Sequence, residues 1–213
     1  IRSEIQTYVG DSADKDRLLR ATDHYRSLVG AWAPHWIDEA VGLARAADVD
    51  PEVYIAYQGA KYRGINRPEC FTYYSAPAHN AGPVTLFHKN RDNRARPQCA
   101  YVKGVTGQYR FAATGDTSDI GTMMGVNERG LAAAADTGVP DPSPRFRGMM
   151  NPDVMRLILE SAADVREARE MLDRVHAERL YAGGSIATNW MFADAAGRGM
   201  RVVQFHDGLD YTH

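Results

Sequence analysis

Cys70 is the residue whose neighbours most suggest chemistry. It stands in Pro68-Glu69-Cys70-Phe71-Thr72-Tyr73-Tyr74, at the head of an aromatic and β-branched run with strand character. A second apolar run, Val84-Thr85-Leu86-Phe87-His88, ends in Lys89-Asn90-Arg91-Asp92. Joined through residues 76–82, the two runs read as a hairpin, which returns the Lys89–Asp92 turn to the neighbourhood of Cys70. A thiol beside a cation and an anchoring carboxylate is a nucleophile candidate, because nearby positive charge favours the thiolate. The same pattern also describes a buried cysteine near a polar turn, and free cysteine is among the most buried residue types. On this hairpin alone the buried cysteine is the simpler reading.

Global properties exclude several other classes. The chain has 213 residues, 44% of them hydrophobic and 24% charged, which suits one substantial soluble domain or two small ones. A formal net charge of −2 argues against nucleic-acid binding through bulk electrostatics. No apolar stretch reaches the length of a membrane span. No secretory signal is visible at Ile1 but the first residue is not Met, so a cytoplasmic location is only loosely implied. Cysteine occurs only at positions 70 and 99, too few for a disulfide framework, and Cys99 at the start of a strand reads as core. The seven histidines lack ligand spacing, so neither a metal nor a cofactor is expected.

The elements that must position Cys70 change character near Gly64. Residues 11–63 read as helices: Asp16 to Leu28, a second opened by Pro34, and a third with Asp50 as N-cap and Pro51 in its first turn. Residues 62–68 read as an exposed linker, the kind of place where chains are cut. From Cys70 to Asp136 strand follows strand: 99–103, 108–113, 120–126 and 131–135, the last two flanking the Asn127-Glu128-Arg129-Gly130 turn. Two helices follow, one from Asn151-Pro152 and one capped by Asp164, and then a hairpin of 186–192 with 200–205. Strands, two helices and strands again imply an α+β layered sandwich.

Three separated segments together resemble the isopenicillin-N acyltransferase family of cysteine N-terminal-nucleophile (Ntn) hydrolases, related to bile-salt and penicillin amidases. They are Cys70 followed after one hairpin by Phe87-His88-Lys89-Asn90-Arg91-Asp92; Gly125-Val126-Asn127-Glu128-Arg129-Gly130-Leu131-Ala132; and Ala187-Thr188-Asn189-Trp190 leading into Ala193-Asp194-Ala195-Ala196-Gly197. The resemblance implies an αββα sandwich, with residues 1–69 a helical prosegment and 70–213 the catalytic core, incomplete at its C-terminal end.

The resemblance also implies a mechanism. The precursor cuts itself between Glu69 and Cys70, and the new α-amine of Cys70 acts as general base. An α-amine titrates at about 8 and a thiol at about 8.5, so proton transfer between them is nearly balanced. The thiolate then attacks an amide or thioester carbonyl and forms an acyl-enzyme. Asn189 occupies the position of the family's oxyanion asparagine, and a backbone N–H at Asp136–Thr137 is the second donor in this scheme. Asp92 matches the aspartate that holds the new N-terminus. Lys89 lies where related amidases often carry arginine, although lysine lacks arginine's rigid fork. Tyr73, Tyr74, Phe146 and Trp190 are candidates to line an acyl pocket, and Arg145 and Arg147 to meet an anionic group. Ordinary core packing is the stronger reading for the aromatics, and solvated surface for the two arginines.

Some residues depart from the pattern. Glu69 replaces the usual glycine and Phe71 a frequent threonine. The expected partners are a small amide or acyl-thioester substrate and a second chain from the same precursor. Three other arrangements remain open at this level: a cut after His213 that places the nucleophile on another chain, an internal cysteine with His79 or His88 as base, and a non-catalytic binding protein on the same fold. Frequent Ala, Arg and Asp resemble a GC-rich bacterial composition.

Overall fold

The computed structural model describes residues 1–9, 12–61, 70–92, 97–142, 148–182 and 186–212. Four helices come first: α1 (Arg2–Val9), α2 (Ser12–Trp32), α3 (Pro34–Ala46) and α4 (Pro51–Gln58). The starts of α3 and α4 follow from local chemistry. Proline occupies the first turn of both, where its missing N–H is no loss. Asp50 caps α4 by accepting from the Glu52 N–H at 2.9 Å. The chain then forms β1 (Phe71–Ser75) and β2 (Leu86–Asn90), a two-stranded antiparallel sheet. A short 3-10 turn, Pro77–His79, lies between them.

The second sheet has seven antiparallel strands in sequence order: β3 (Gln98–Lys103), β4 (Phe111–Asp116), β5 (Met124–Asn127), β6 (Ala132–Pro140), β7 (Ile186–Ala193), β8 (Gly199–Gln204) and β9 (Leu209–Thr212). Helices α5 (Asn151–Ser161) and α6 (Val165–Ala177) join β6 to β7 and pack on one face of it. The β1–β2 hairpin packs on β6 and β7. Helices over antiparallel sheets are the α+β sandwich that the element order predicted. No described helix is long and apolar enough to cross a membrane.

Turn chemistry fixes the connection from β5 to β6. The buried Asn127 side chain accepts from the Arg129 and Leu131 N–H groups and donates to the Leu159 and Ala162 carbonyls, at 3.0 and 2.7 Å. It ties the turn to the end of α5. Gly130 supplies the positive φ that closes the turn, +84°.

Several features differ from the sequence reading. The strand expected from 120 starts only at Met124, because the Ile120 backbone bonds to side chains instead of a ladder. Its N–H donates to Gln58 and its carbonyl accepts from Arg156 and Lys103. The strand expected over 108–113 runs Phe111–Asp116. Cys99, expected in the core, is exposed, since β3 is an edge strand of the large sheet. Helix α1 and strand β9 were not anticipated. The expected linker at 62–68 lies outside the described residues; the described chain is helical up to Gln58 and β-strand from Phe71.

Helices α2 and α3 meet α5 through buried polar and charged groups. Arg156 is fully buried; it bonds Glu160 at 2.9 Å on its own helix and Glu39 of α3 at 2.7 Å. Glu160 in turn accepts from the Trp36 indole at 2.9 Å, and His35 lies 2.9 Å from the same oxygen. Burial opposes charge on Glu39, but Arg156 and Lys103 hold its carboxyl below the ordinary range. Nearby, Asp153 accepts from the Tyr25 hydroxyl at 3.0 Å and the Met150 N–H at 3.1 Å. Burial pushes the Asp153 carboxyl up from 3.8 to about 6, against both hydrogen bonds.

Asp153 therefore binds its proton more tightly folded than unfolded, and its charge becomes a penalty as pH rises from about 4 to about 6. Asp153→Asn removes that dependence while keeping an acceptor for Tyr25. The unfolding free energy of Asp153→Asn minus that of the wild type is expected to grow by about 2 kcal/mol between pH 4 and pH 7, read by denaturant titration at each pH.

Candidate active site

The β1–β2 hairpin carries the candidate site, and its register decides which side chains face the large sheet. Thr72 pairs with Lys89 and Tyr74 with Phe87, while Tyr73 pairs with His88 and Phe71 with Asn90. Alternation puts the first set on one face and the second on the other. The first set faces the large sheet. Lys89 Nζ bonds Asp136 Oδ1 on β6, with side-chain exposures of 2% and 11%. The Tyr74 hydroxyl bonds the Gly197 carbonyl, and its ring lies where a Cβ on Gly199 would sit, 2.7 Å away. Only glycine at 199 admits the hairpin this closely. Phe71 and Tyr73 are exposed on the outer face, where Phe71 stacks on His88 at 5.6 Å.

Cys70 sits one residue before β1, half-buried and free. Its φ is +132°, a region that residues with a side chain rarely adopt. The Phe71 N–H donates to Asn90 Oδ1 at 2.6 Å, and Asn90 Nδ2 donates to Asp92 Oδ2 at 2.9 Å. Asn90 thus connects the backbone beside Cys70 to the exposed Asp92. Arg91 follows directly on Asn90, one residue beyond the last pair of the ladder, Phe71–Asn90. Arg91 makes a two-pronged ion pair with Asp116 at the end of β4, at 2.6 and 3.1 Å, with both side chains buried.

Asn189 pairs in register with Asp136, so it shares the hairpin-facing surface of the sheet. Its amide donates to the Thr137 carbonyl at 3.4 Å, a long bond. The structure therefore gathers Lys89, Asn189, Thr137 and the head of the hairpin over β6 and β7. Trp190, the next residue, must point the other way. It is buried on the helix side, donates to Gln204 at 2.9 Å and stacks on Phe192. Packing, and not an acyl pocket, is the environment of Trp190. Tyr73 is likewise turned away, onto the outer face of the hairpin. Phe146, Arg145 and Arg147 lie outside the described residues. His88 is on the outer face, opposite to Lys89.

An open groove of about 1360 Å³ runs between the connection of the hairpin and strands β3 to β6. Val84, Phe87, Val102, Met124, Val126 and Ala132 make its walls largely apolar, and it reaches Lys89. The small alanines of β4 and β6 leave this space; Tyr73, Tyr74 and Trp190, expected to form the pocket, do not line it.

Three residues were missed from sequence. Asp136 was noted for its backbone and not as the partner of Lys89. Asp116, far from the motif in sequence, holds Arg91. Thr72 has a buried hydroxyl with no hydrogen-bond partner and stands opposite Lys89. Its Cys70-x-Thr72 spacing, which puts both on one face of a strand, was the available signal for Thr72. Among the described residues, no cluster of His, Cys, Asp or Glu is arranged to hold a metal.

The profile of the family described as acyl-coenzyme A:6-aminopenicillanic acid acyl-transferase matches residues 79–210. The chain belongs to this family. No curated protein sequence matches it. Solved structures similar to it include penicillin V acylase from Agrobacterium tumefaciens, 17% identical over 71% of this chain and 44% of that one, with a TM-score of 0.38. Two more are altered forms of conjugated bile acid hydrolase from Clostridium perfringens. One, with a cysteine replaced by alanine, is 14% identical over 68% of this chain and 50% of that one, with a TM-score of 0.49. The other, with an arginine replaced by leucine, is 16% identical over 48% of this chain and 35% of that one, with a TM-score of 0.36. The chain thus spans half or less of the length of these proteins.

The Lys89–Asp136 pair is the contact that fastens this member's hairpin to its sheet. Removing one partner strands a charge out of water. Lys89→Met is expected to cost about 3–5 kcal/mol of stability in urea unfolding, and Lys89→Met with Asp136→Leu to recover most of it.

Proposed function

We propose that the chain carries the nucleophile, Cys70, of a cysteine Ntn-type acyltransferase or amide hydrolase. The observation that carries this reading is the placement of Cys70 at the head of a hairpin that Lys89 pins over Asp136 and Asn189. The positive φ of Cys70 adds to it. Strain at a residue with a side chain persists only where the surroundings impose it, and such strain clusters at reactive positions.

The reading proceeds in two stages. In the first, the Cys70 thiol attacks the Glu69 carbonyl and the peptide nitrogen leaves as the α-amine of Cys70. Water then hydrolyses the resulting thioester and releases a chain ending in Glu69. In the second, the freed α-amine takes the thiol proton and the thiolate attacks the substrate carbonyl. Asn189 Nδ2 donates to the developing oxyanion. The long bond from this amide to the Thr137 carbonyl is one that a charged oxygen displaces at little cost. The α-ammonium returns its proton to the leaving amine or thiol, and water or an amine accepts the acyl group. Asp92, linked through Asn90 to the backbone beside Cys70, orients the α-amine. Lys89 acts as a positioning residue, because Asp136 already neutralises its ammonium. The apolar groove accepts the acyl chain.

Intact mass spectrometry with N-terminal sequencing, run beside turnover of an acyl anilide, tests this. The expected result is a fragment beginning Cys70-Phe71-Thr72, with Cys70→Ala abolishing both cleavage and turnover. Retained turnover in Cys70→Ala sinks the reading. His88→Ala is expected to leave cleavage and turnover near wild type, and its loss of turnover alone would favour the internal-cysteine arrangement.

A further inference from the structure

The loop between β4 and β5 is gripped from two sides by segments that are separate in sequence. On one side is α4 with the residues just after it. The Tyr54 hydroxyl donates to the Ser118 carbonyl at 3.1 Å, and the Gln58 amide donates to the same oxygen at 2.7 Å. Gln58 also accepts from the Ile120 N–H at 3.2 Å. Lys61 forms an ion pair with Asp119, and both side chains are buried. On the other side is Arg91, whose guanidinium forks onto Asp116. The two grips are coupled within the loop, where the Asp119 N–H donates to the Asp116 carbonyl at 3.1 Å.

Arg91 also follows directly on Asn90, whose partner in the hairpin ladder, Phe71, is the residue after Cys70. The last described residue of the N-terminal helical part, Lys61, and the head of the hairpin are therefore fixed to one short stretch, Asp116 to Ile120. A guanidinium fork on a carboxylate fixes direction as well as distance, which a single ammonium does not. The Asn90 side chain bonds the Phe71 N–H, so the residue before Arg91 bears on the backbone beside Cys70 and its unusual φ.

We propose that Arg91, held by Asp116, is a positioning residue for Cys70, and that α4 sets it through the Asp116–Ile120 loop. This rests on the reading of Cys70 as the reactive thiol. Arg91 touches no reacting atom in this account. Its charge is met by Asp116, and it acts by holding the neighbouring Asn90, whose side chain bonds the backbone beside Cys70. The N-terminal helices thereby tune the reactivity of a thiol they do not touch.

The test is the rate of Cys70 alkylation by iodoacetamide in a Cys99→Ser background, Cys99 being exposed. It is measured on whichever species the chain forms, cut or uncut. Arg91→Met is expected to change the rate by about fivefold or more, with Arg91→Lys in between. The exchange Arg91→Asp with Asp116→Arg is expected to restore it to within about twofold. Lys61→Met moves the rate in the same direction as Arg91→Met, while Arg110→Met, which removes an exposed ion pair with Glu128, leaves it unchanged. Circular dichroism confirms that each variant folds. A folded Arg91→Met with the wild-type rate overturns the proposal, as does an exchange variant that regains thermal stability but not the rate. Should Arg91→Met not fold, Lys61→Met decides: an unchanged rate overturns the link to α4. Absence of any chain beginning at Cys70 in the wild type defeats the self-cleavage reading alone, and the alkylation rates still judge the positioning role.

Discussion

A buried charge pair, Lys89 with Asp136, holds the site together. A two-stranded hairpin is marginal by itself in water, and β1–β2 pairs with no strand other than its partner among the described residues. It gains a fixed place by pressing one face on β6 and β7, and the ion pair is the polar centre of that contact. Taking both charges out of water is costly, so the pair adds little net stability over an apolar match. What it adds is register. A hairpin slipped by one residue would turn Lys89 outward and leave Asp136 buried alone, so the slip is strongly disfavoured. Tyr74 against Gly199 gives the same register a steric check.

Two further polar assemblies extend this logic outward. Behind the large sheet, Arg156, Glu160 and Glu39 join α5 to α3, and Asp153 meets Tyr25 of α2. In front, Arg91 with Asp116 and Lys61 with Asp119 tie the hairpin and the end of the N-terminal helices to one loop. In each case apolar packing would suffice for cohesion. Buried ions instead make wrong placements expensive, because each charge left without its partner loses hydration for nothing. The apolar groove beside Lys89 contrasts with these assemblies, its walls built from residues that demand no partner.

Local signals in the chain were readable where local physics decides. Pro34, Pro51 and Asp50 begin helices because proline and a capping carboxylate suit a helix start in any surroundings. Asp164 caps α6 for the same reason, and Asn127 with Gly130 forms the turn its residues demand. The family resemblance came from three such segments in order. Trp190 misled because hydrophobic type says that a residue is buried and not against what. Alternation carried more: with Asn189 facing the hairpin, Trp190 has to face the helices. The start of β5 misled because apolar Ile120 looks like strand, and only the distant Gln58, Arg156 and Lys103 claim its backbone.

The sequence by itself determined the order of elements, the α+β class, the hairpin that carries Cys70 and the family pattern around it. Helix caps, turn residues and strand alternation act over a few residues, and those are all present in the chain as written. Tertiary structure alone decided the partners: Asp136 for Lys89, Asp116 for Arg91, Asp119 for Lys61, and the face on which each candidate side chain falls. These pairs are 47, 25 and 58 residues apart. Many carboxylates and cations in the chain are chemically equivalent candidates for such pairing. Only the stacking of the hairpin on the sheet, and of α4 on the β4–β5 loop, selects among them, because burial makes an unpaired charge too costly to leave.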